Sequence, residues 1–523
     1  MNSYCFDDIL IDPCVSDIDS RKTINLSVDI ARYPRSLILR TPLISSCMST
    51  VTESKMAIDM ALQGGLGIIH RYMPIEKQIK EVERVKRHLQ YIIEEPYCIS
   101  THKADEKTPG IMQTSIGLAG PTGLTTMNDY EENEKKYNIG SFLVTHYMTG
   151  QIVGIITKKD YELWKSVSLI RKCPNTILDN MSEITTAYMN YEHECSGKSM
   201  DDILKLAMEL IVYHKVEKIP IIDDTCMIRG LITHKNIKHY LANRMTASLD
   251  GQGRLLVGAA IGIKHKDELD KLKQLVDCGI DLVCVDVANG FNTHVRDFII
   301  QIRSLYPQLI IMAGNICSAD GFKFLDDIDV DCIRVGIGSG SICTTRAETG
   351  VGKLQWSAVN ECFQYLKQLD FSHHAKIISD GGSLGKTGNK AKALVTGSSA
   401  VMLGHTLAGT NSSPGSIIIR NGKKCKYFRG MASTMAYLEN QEAKGSTDID
   451  TKFNPEGVDG FVEIKGNVSD IIEQINGGIR SCLSYVGCHS IDDLHDKRKV
   501  DGIKFTLVTS IGMAETNTRI SKF

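Results

Sequence analysis

A chain of 523 residues is too long for one ordinary domain and fits a barrel of roughly 250 to 400 residues plus a second module. Hydrophobic residues make up 42% and charged residues 23%, the balance of an ordinary globular protein with ample material for a core. With 60 Lys and Arg against 62 Asp and Glu, the net charge of −2 offers no bulk attraction to nucleic acid or an anionic membrane, so any phosphate site must come from local geometry.

The sixteen cysteines are scattered, and no pair has zinc-ligand spacing. No basic-then-apolar leader opens the chain, and no apolar stretch is long enough to span a bilayer. The expectation is free thiols in a reducing, cytoplasmic compartment. The terminal Ser521-Lys522-Phe523 resembles a peroxisomal tripeptide with its last residue changed, which leaves a peroxisomal or glycosomal address open beside an arbitrary polar tail.

In residues 1–90, positions 43–48 read as a buried strand running into a loop. Positions 56–62 have helical spacing, stopped by Gly64-Gly65, and 67–70 read as a second buried strand. Strand, helix, strand at this spacing predicts a parallel βα unit. Residues 91–250 differ in character. A polar stretch at 131–136 is followed by two similar pieces, 137–160 and 215–236, each reading as strand, turn, strand, then a Thr (Thr157, Thr233) capping a helix. In residues 251–523 the βα rhythm resumes, with apolar runs at 255–258, 282–287, 309–313, 332–335, 375–379 and 400–403. Six strands plus the earlier two make eight. The predicted fold is a TIM (β/α)8 barrel, formed by 1–90 and 251–523 and interrupted by a module at 91–250.

Working residues of a barrel sit at the C-terminal ends of its strands. The clearest such place is Gly336-Ile337-Gly338-Ser339-Gly340-Ser341-Ile342-Cys343-Thr344-Thr345-Arg346. Its glycines let backbone amides approach an anion or carbonyls approach a cation. A Cys343 thiolate there could attack an electrophilic ring carbon. The loop resembles the active-site loop of IMP dehydrogenases and GMP reductases. Phe6-Asp7-Asp8-Ile9-Leu10, Thr50-Val51-Thr52-Glu53, Gly314-Asn315, Asp380-Gly381-Gly382, Val401-Met402-Leu403-Gly404 and Arg429-Gly430-Met431 support the resemblance in the same order. The repeat in 91–250 resembles a tandem CBS (Bateman) module, placed where IMP dehydrogenases carry theirs. Purine nucleotides (GTP, ATP or GMP) are the ligands such a module implies.

The resemblance implies a covalent bond between Cys343 and purine C2, with Thr345 and Glu456 as a relay and Asp286 contributing to loss of ammonia. It implies that Ser341, Gly382, Gly404 and His405 hold the 5′-phosphate and that Asp380, beside Gly381, binds the ribose hydroxyls. Gly430, Met431, Ala432 and Gly457 fall on the nucleotide side. Asp286, Val287, Ala288, Arg71, Met431 and Tyr485 fall on the NADPH side, and the carbonyls of Gly338, Gly340 and Cys343 face a potassium ion. Taken alone, Asp380-Gly381-Gly382 is equally a plain turn, and Glu456 a solvated loop acid. The implied assembly is a homotetramer, with an octamer left open.

Two reactions compete. Asp286-Val287-Ala288-Asn289-Gly290-Phe291, Thr349 and Ser484-Tyr485-Val486-Gly487 look like the reductase, which converts GMP to IMP. A dehydrogenase needs an Arg-Tyr pair on a mobile flap to activate water, and the place expected for it holds Lys444-Gly445. The CBS-like insertion, residues 63–70 and residues 407–415 resemble the dehydrogenase, which stands as the alternative. Arg71 occupies a place where both families usually have Lys, and Lys353-Leu354-Gln355 replaces a more usual aromatic-Pro-Gln. A third reading, a nucleotide sensor that kept the barrel without its chemistry, is opposed by the presence of Cys343, Thr345 and Glu456. The expectation is an NADPH-dependent GMP reductase.

Overall fold

A computed structural model describes residues 2–89, 91–93, 96–102, 115–116, 124–137, 139–183, 187–263, 267–383, 385–443, 454–509 and 512. Eight parallel strands close into a barrel in chain order: β1 (Leu43–Ser45), β2 (Leu66–Ile69), β3 (Val257–Ile261), β4 (Leu282–Asp286), β5 (Ile310–Ile316), β6 (Cys332–Val335), β7 (Lys376–Asp380) and β8 (Ala400–Leu403). Register runs from Val283 opposite Ile311 in β4 and β5 to Val401 opposite Leu43, which closes the ring. The strands are continuous apolar runs because helices cover them outside and packed side chains fill them inside. β3 begins two residues later than its apolar run and extends to Ile261. β5 continues past its run because a bulge between Gly314 and Ile316 preserves its pairing with β6.

The outer helix Val468–Val486 buries Val468, Ile472, Ile475, Ile479, Leu483 and Val486, one stripe at three- and four-residue spacing. It packs against the helix Thr387–Thr396 at Gly478, where a Cβ would stand 2.2 Å from Thr387 Cγ2. Gly487 ends it in the left-handed region at φ 64°. A three-stranded antiparallel sheet, Ile418–Arg420, Lys423–Arg429 and Asp459–Glu463, was not expected from sequence. Its outer strands are largely exposed and its central strand, though half buried, is rich in Lys and Arg, so no apolar run announces them.

The chain divides into two compact units. One comprises Met1–His88, Arg244–Asp250 and Arg254–Phe523; the other comprises Leu89–Asn243 and Gly251–Gly253. The second unit holds two strand pairs built alike. Ser141–Thr145 pairs antiparallel with Ile152–Thr157, and Lys218–Ile222 with Ile228–Thr233. Each pair runs directly into a helix, Lys158–Ser168 or His234–Asn243. Thr157 Oγ1 accepts the amide of Asp160 while Asp160 accepts the Thr157 amide, a reciprocal cap. Thr233 and Asn236 repeat the arrangement. Among the described residues no helix is long and apolar enough to cross a membrane.

Candidate active site

A cavity of about 1120 Å³ opens at the C-terminal ends of the barrel strands. Every strand contributes to it: Cys47 after β1, Arg71 after β2, Gly262 after β3, Asp286 from β4, Asn315 from β5, Arg334 from β6, Asp380 from β7 and Gly404 after β8. Parallel strands deliver all these positions to one rim, which is why residues far apart in sequence meet here.

The loop after β6 is held in place by backbone bonds. At Gly336 (φ 149°) a Cβ would lie 2.2 Å from the Asp380 carbonyl, and at Gly338 (φ 73°) 2.4 Å from Arg346 Cγ, so neither place admits a side chain. Ser339 Oγ donates to the Asp380 carbonyl at 2.6 Å, and the Gly382 amide donates to the Ser339 carbonyl at 2.9 Å. Gln355, the retained last residue of the altered Lys353-Leu354-Gln355, donates its amide to the Val335 carbonyl at 2.7 Å and braces the loop from behind. On the other side the Thr344 amide donates to the Glu456 carbonyl and the Val458 amide to the Ile342 carbonyl, both at 3.0 Å. Cys343 and Gly457 thus pair as a β-bridge. The Glu456 amide in turn donates to the Ala432 carbonyl at 3.0 Å. Cys343, Glu456, Gly430, Met431 and Ala432 therefore share one wall. Cys343 Sγ lies 3.1 Å from Thr345 Oγ1.

Asp286 is clamped between two guanidiniums. Arg334 Nη2 donates to Oδ1 at 2.8 Å, and Arg71 Nε approaches Oδ2 at 3.4 Å. Burial alone would push this carboxyl up; Arg334 and then Arg71 outweigh it and hold it below the usual carboxylate range. Arg334 Nε also donates to Asn315 Oδ1 at 2.8 Å, and Asn315 Nδ2 donates to Asp380 Oδ2 at 2.8 Å. One polar chain thereby links the carboxylate expected near the nicotinamide to the one expected at the ribose. Sequence reasoning missed Arg334 and assigned no role to Asn315. A signal for the former exists: a lone Arg inside the apolar run Cys332–Val335 must find a charged partner in the barrel interior.

Ser341, Gly382, Gly404 and His405 line the cavity. Burial, then the ammonium groups of Lys465 and Lys390, hold the His405 imidazole below its usual value. Burial brings both lysines down to about 8. Lys465 Nζ donates to the His405 carbonyl. Neither lysine lines the cavity, but both stand close enough to His405 to act on its charge.

The cavity lining includes Cys343, Thr345, Glu456, Asp286, Val287, Ala288, Arg71, Ser341, Asp380, Gly381, Gly382, Gly404, His405, Gly430, Met431, Ala432, Gly338 and Gly340. Gly457 stands behind it, bridged to Cys343. Tyr485 is not brought there: it is exposed on the outer helix, its ring 5.4 Å from the Arg21 guanidinium. Lys444-Gly445 and Ser521-Lys522-Phe523 lie outside the described residues. Tyr72, Tyr437 and Gln441 also line the cavity and were not singled out from sequence, since nothing in their local pattern separates them from core or surface positions.

The profile of the IMP dehydrogenase / GMP reductase domain matches residues 3–519. The chain is 37% identical over 516 residues to the inosine-5′-monophosphate dehydrogenase of Nitrosopumilus maritimus, covering 98% of this chain and 97% of that protein. It is 35% identical over 512 residues to that of Bacillus subtilis, covering 98% and 94%. It is also similar, with a TM-score of 0.79 and 30% identity, to the crystal structure of a Trypanosoma brucei GMP reductase variant in complex with guanosine 5′-monophosphate, covering 100% of this chain and 98% of that one.

Proposed function

The chain belongs to the IMP dehydrogenase/GMP reductase family of nicotinamide-dependent oxidoreductases, and on that premise we propose that it converts GMP to IMP and ammonia with NADPH. The observation that carries this reading is an absence in the sequence: no arginine occurs between Met431 and Glu456, so no Arg-Tyr pair can stand on the flap. A dehydrogenase must hydrolyse its thioimidate near neutral pH and needs a base for the attacking water. A reductase needs none at that step.

In this reading the Cys343 sulfur attacks C2 of GMP and forms a thioimidate as the amino group leaves with a proton. The Thr345 hydroxyl, 3.1 Å from the sulfur, takes part in proton movement, with Glu456 on the same wall completing the relay. The Asp286 carboxylate, kept ionised by Arg334 and Arg71, acts as a hydrogen-bond acceptor for the departing ammonia. Arg71 orients that carboxylate, since a guanidinium is too weak an acid to supply the proton itself. Asp380 takes the ribose hydroxyls, and Ser341, Gly382, Gly404 and His405 take the phosphate. The cavity is large enough for a nucleotide with a nicotinamide beside it, at Asp286, Val287, Ala288, Arg71 and Met431. The nicotinamide, when bound, supplies hydride to C2. The Gly338, Gly340 and Cys343 carbonyls are neutral donors that suit a monovalent cation such as potassium. Among the described residues no His, Cys, Asp or Glu cluster suits another metal.

The Leu89–Asn243 unit is read as a tandem CBS module that binds a purine nucleotide and regulates a cytoplasmic homotetramer or octamer. Its support is the repeated strand, strand, capping-Thr construction.

The names of the sequence relatives favour the second reading, IMP dehydrogenase. One assay separates the two. With GMP and NADPH, absorbance of the reduced nicotinamide should fall and ammonia should appear; with IMP and NAD it should not rise. Sustained formation of XMP from IMP and NAD overturns the reductase reading.

A further inference from the structure

Two thiols meet beneath the cavity, and the reaction proposed above uses neither. Cys47 follows β1 and borders the cavity; Cys284 is buried in β4, two residues before Asp286 and so on the same interior side. β1 and β4 are not neighbours, since β2 and β3 lie between them around the ring. The sulfurs come together only because both side chains point into the barrel. Arg334 Nη1 lies 3.1 Å from Cys47 Sγ and 3.4 Å from Cys284 Sγ. The neighbouring thiol and the Arg334 guanidinium lower Cys284, while the neighbouring thiol and burial raise Cys47 well above the usual thiol value, so the thiolate of the pair rests on Cys284. A fixed guanidinium beside two thiols that share a proton favours one thiolate in the pair, whereas a buried thiol in apolar surroundings is inert.

We propose that Cys47 and Cys284 are a peroxide-sensitive pair that closes into a disulfide across the barrel interior and thereby loosens the cofactor end of the site. Cys47 is the sulfur that a small oxidant can reach from the cavity. Its proton passes to the Cys284 thiolate as its sulfur attacks hydrogen peroxide; the O–O bond breaks, leaving a Cys47 sulfenic acid and hydroxide. Cys284 then displaces the sulfenic hydroxyl, which leaves with the Cys284 proton as water while the S–S bond forms. Two thiols are oxidised and one peroxide is reduced to water.

The coupling follows from Arg334. Its Nη1 loses an anionic sulfur partner, while its Nη2 and Nε hold Asp286 and Asn315. A disulfide is a poor acceptor, so the guanidinium that positions Asp286 loses part of its anchoring. This effect rests on reading Asp286 as a cofactor contact; the disulfide itself does not.

The cross-link is tested in full-length protein carrying Cys343→Ala, so that the nucleophile cannot react. After hydrogen peroxide and non-reducing digestion, mass spectrometry should find the Cys47 and Cys284 peptides joined. The species should vanish with dithiothreitol and be missing in Cys284→Ala. Coupling is then tested with Cys343 present: peroxide should raise the KM for the dinucleotide several-fold, reversibly with dithiothreitol, and Cys284→Ala should not show the rise. Free thiols at both positions in this variant, after an exposure that oxidises Cys343 in the parent protein, overturn the pair. A cross-link that leaves the dinucleotide KM unchanged overturns the coupling. The direction of reaction is read in a separate assay and stands or falls independently.

Discussion

Arg334 Nη2 lies 2.8 Å from Asp286 Oδ1, an ion pair between β6 and β4 that spans the barrel interior rather than linking adjacent strands. Both groups lose water there, so each depends on the other, and removal of Arg334 leaves Asp286 a buried charge compensated only in part. With Arg334→Leu, Asp286 keeps only the 3.4 Å contact with Arg71 and its pKa should rise. Activity that needs the carboxylate ionised is present above its pKa and lost as pH falls through it. The acid limb of the kcat/KM profile should therefore move to higher pH in the variant. A limb that stays in place shows that Asp286 ionisation does not govern the reaction.

Cys343→Ala should abolish turnover while leaving GMP affinity within a few-fold, because the proposed phosphate and ribose contacts other than Ser341 come from β7, β8 and the loops after them. Calorimetric titration with GMP beside a turnover assay checks both halves. Turnover above about one percent of the parent would contradict covalent catalysis, since deletion of a nucleophile normally costs several orders of magnitude.

Replacing Leu89–Asn243 by a short Gly-Ser linker should leave a working barrel that no longer responds to purine nucleoside triphosphates, since the two units hold separate cores. Activity and assembly state measured with and without GTP or ATP test this. A response unchanged by the deletion places the sensor elsewhere.

Asp331 should be a stability residue without a part in the chemistry. Its buried carboxylate accepts Arg35 Nε and Arg303 Nη2, each at 2.6 Å, and the Ile311 amide at 2.8 Å. Asp331→Asn removes the charge between two guanidiniums and should cost about 3–5 kcal/mol in urea unfolding. Nucleotide affinity of the surviving folded fraction should be unchanged. A loss below about 1 kcal/mol would show that Asp329, which also pairs with Arg35 and Arg303, carries the cluster.

The barrel was legible because its strands are apolar runs bounded by Gly, Asp and Asn, a pattern that local chemistry writes directly into the sequence. Cys332–Val335 and Ala400–Leu403 are found where the runs place them. The repeats around Thr157 and Thr233 were legible because a Thr that caps a helix does so through residues three positions away. Cys343 stood out because three glycines, at 336, 338 and 340, precede it in a tight loop and hydroxyl residues flank it on both sides. What the sequence could not decide is which distant side chains meet inside the ring. Arg334 reads as an anomaly in an apolar strand until Asp286, Asn315, Cys47 and Cys284 converge on its guanidinium from three other strands or their ends. Tyr485 shows the converse: the family resemblance placed it on the cofactor side, yet its helix packs on the outside of the barrel and carries it away from the cavity. Periodicity and turn chemistry are properties of neighbours in the chain. Convergence at the mouth of a barrel depends on register and on which way each strand faces, and only the closed ring determines those.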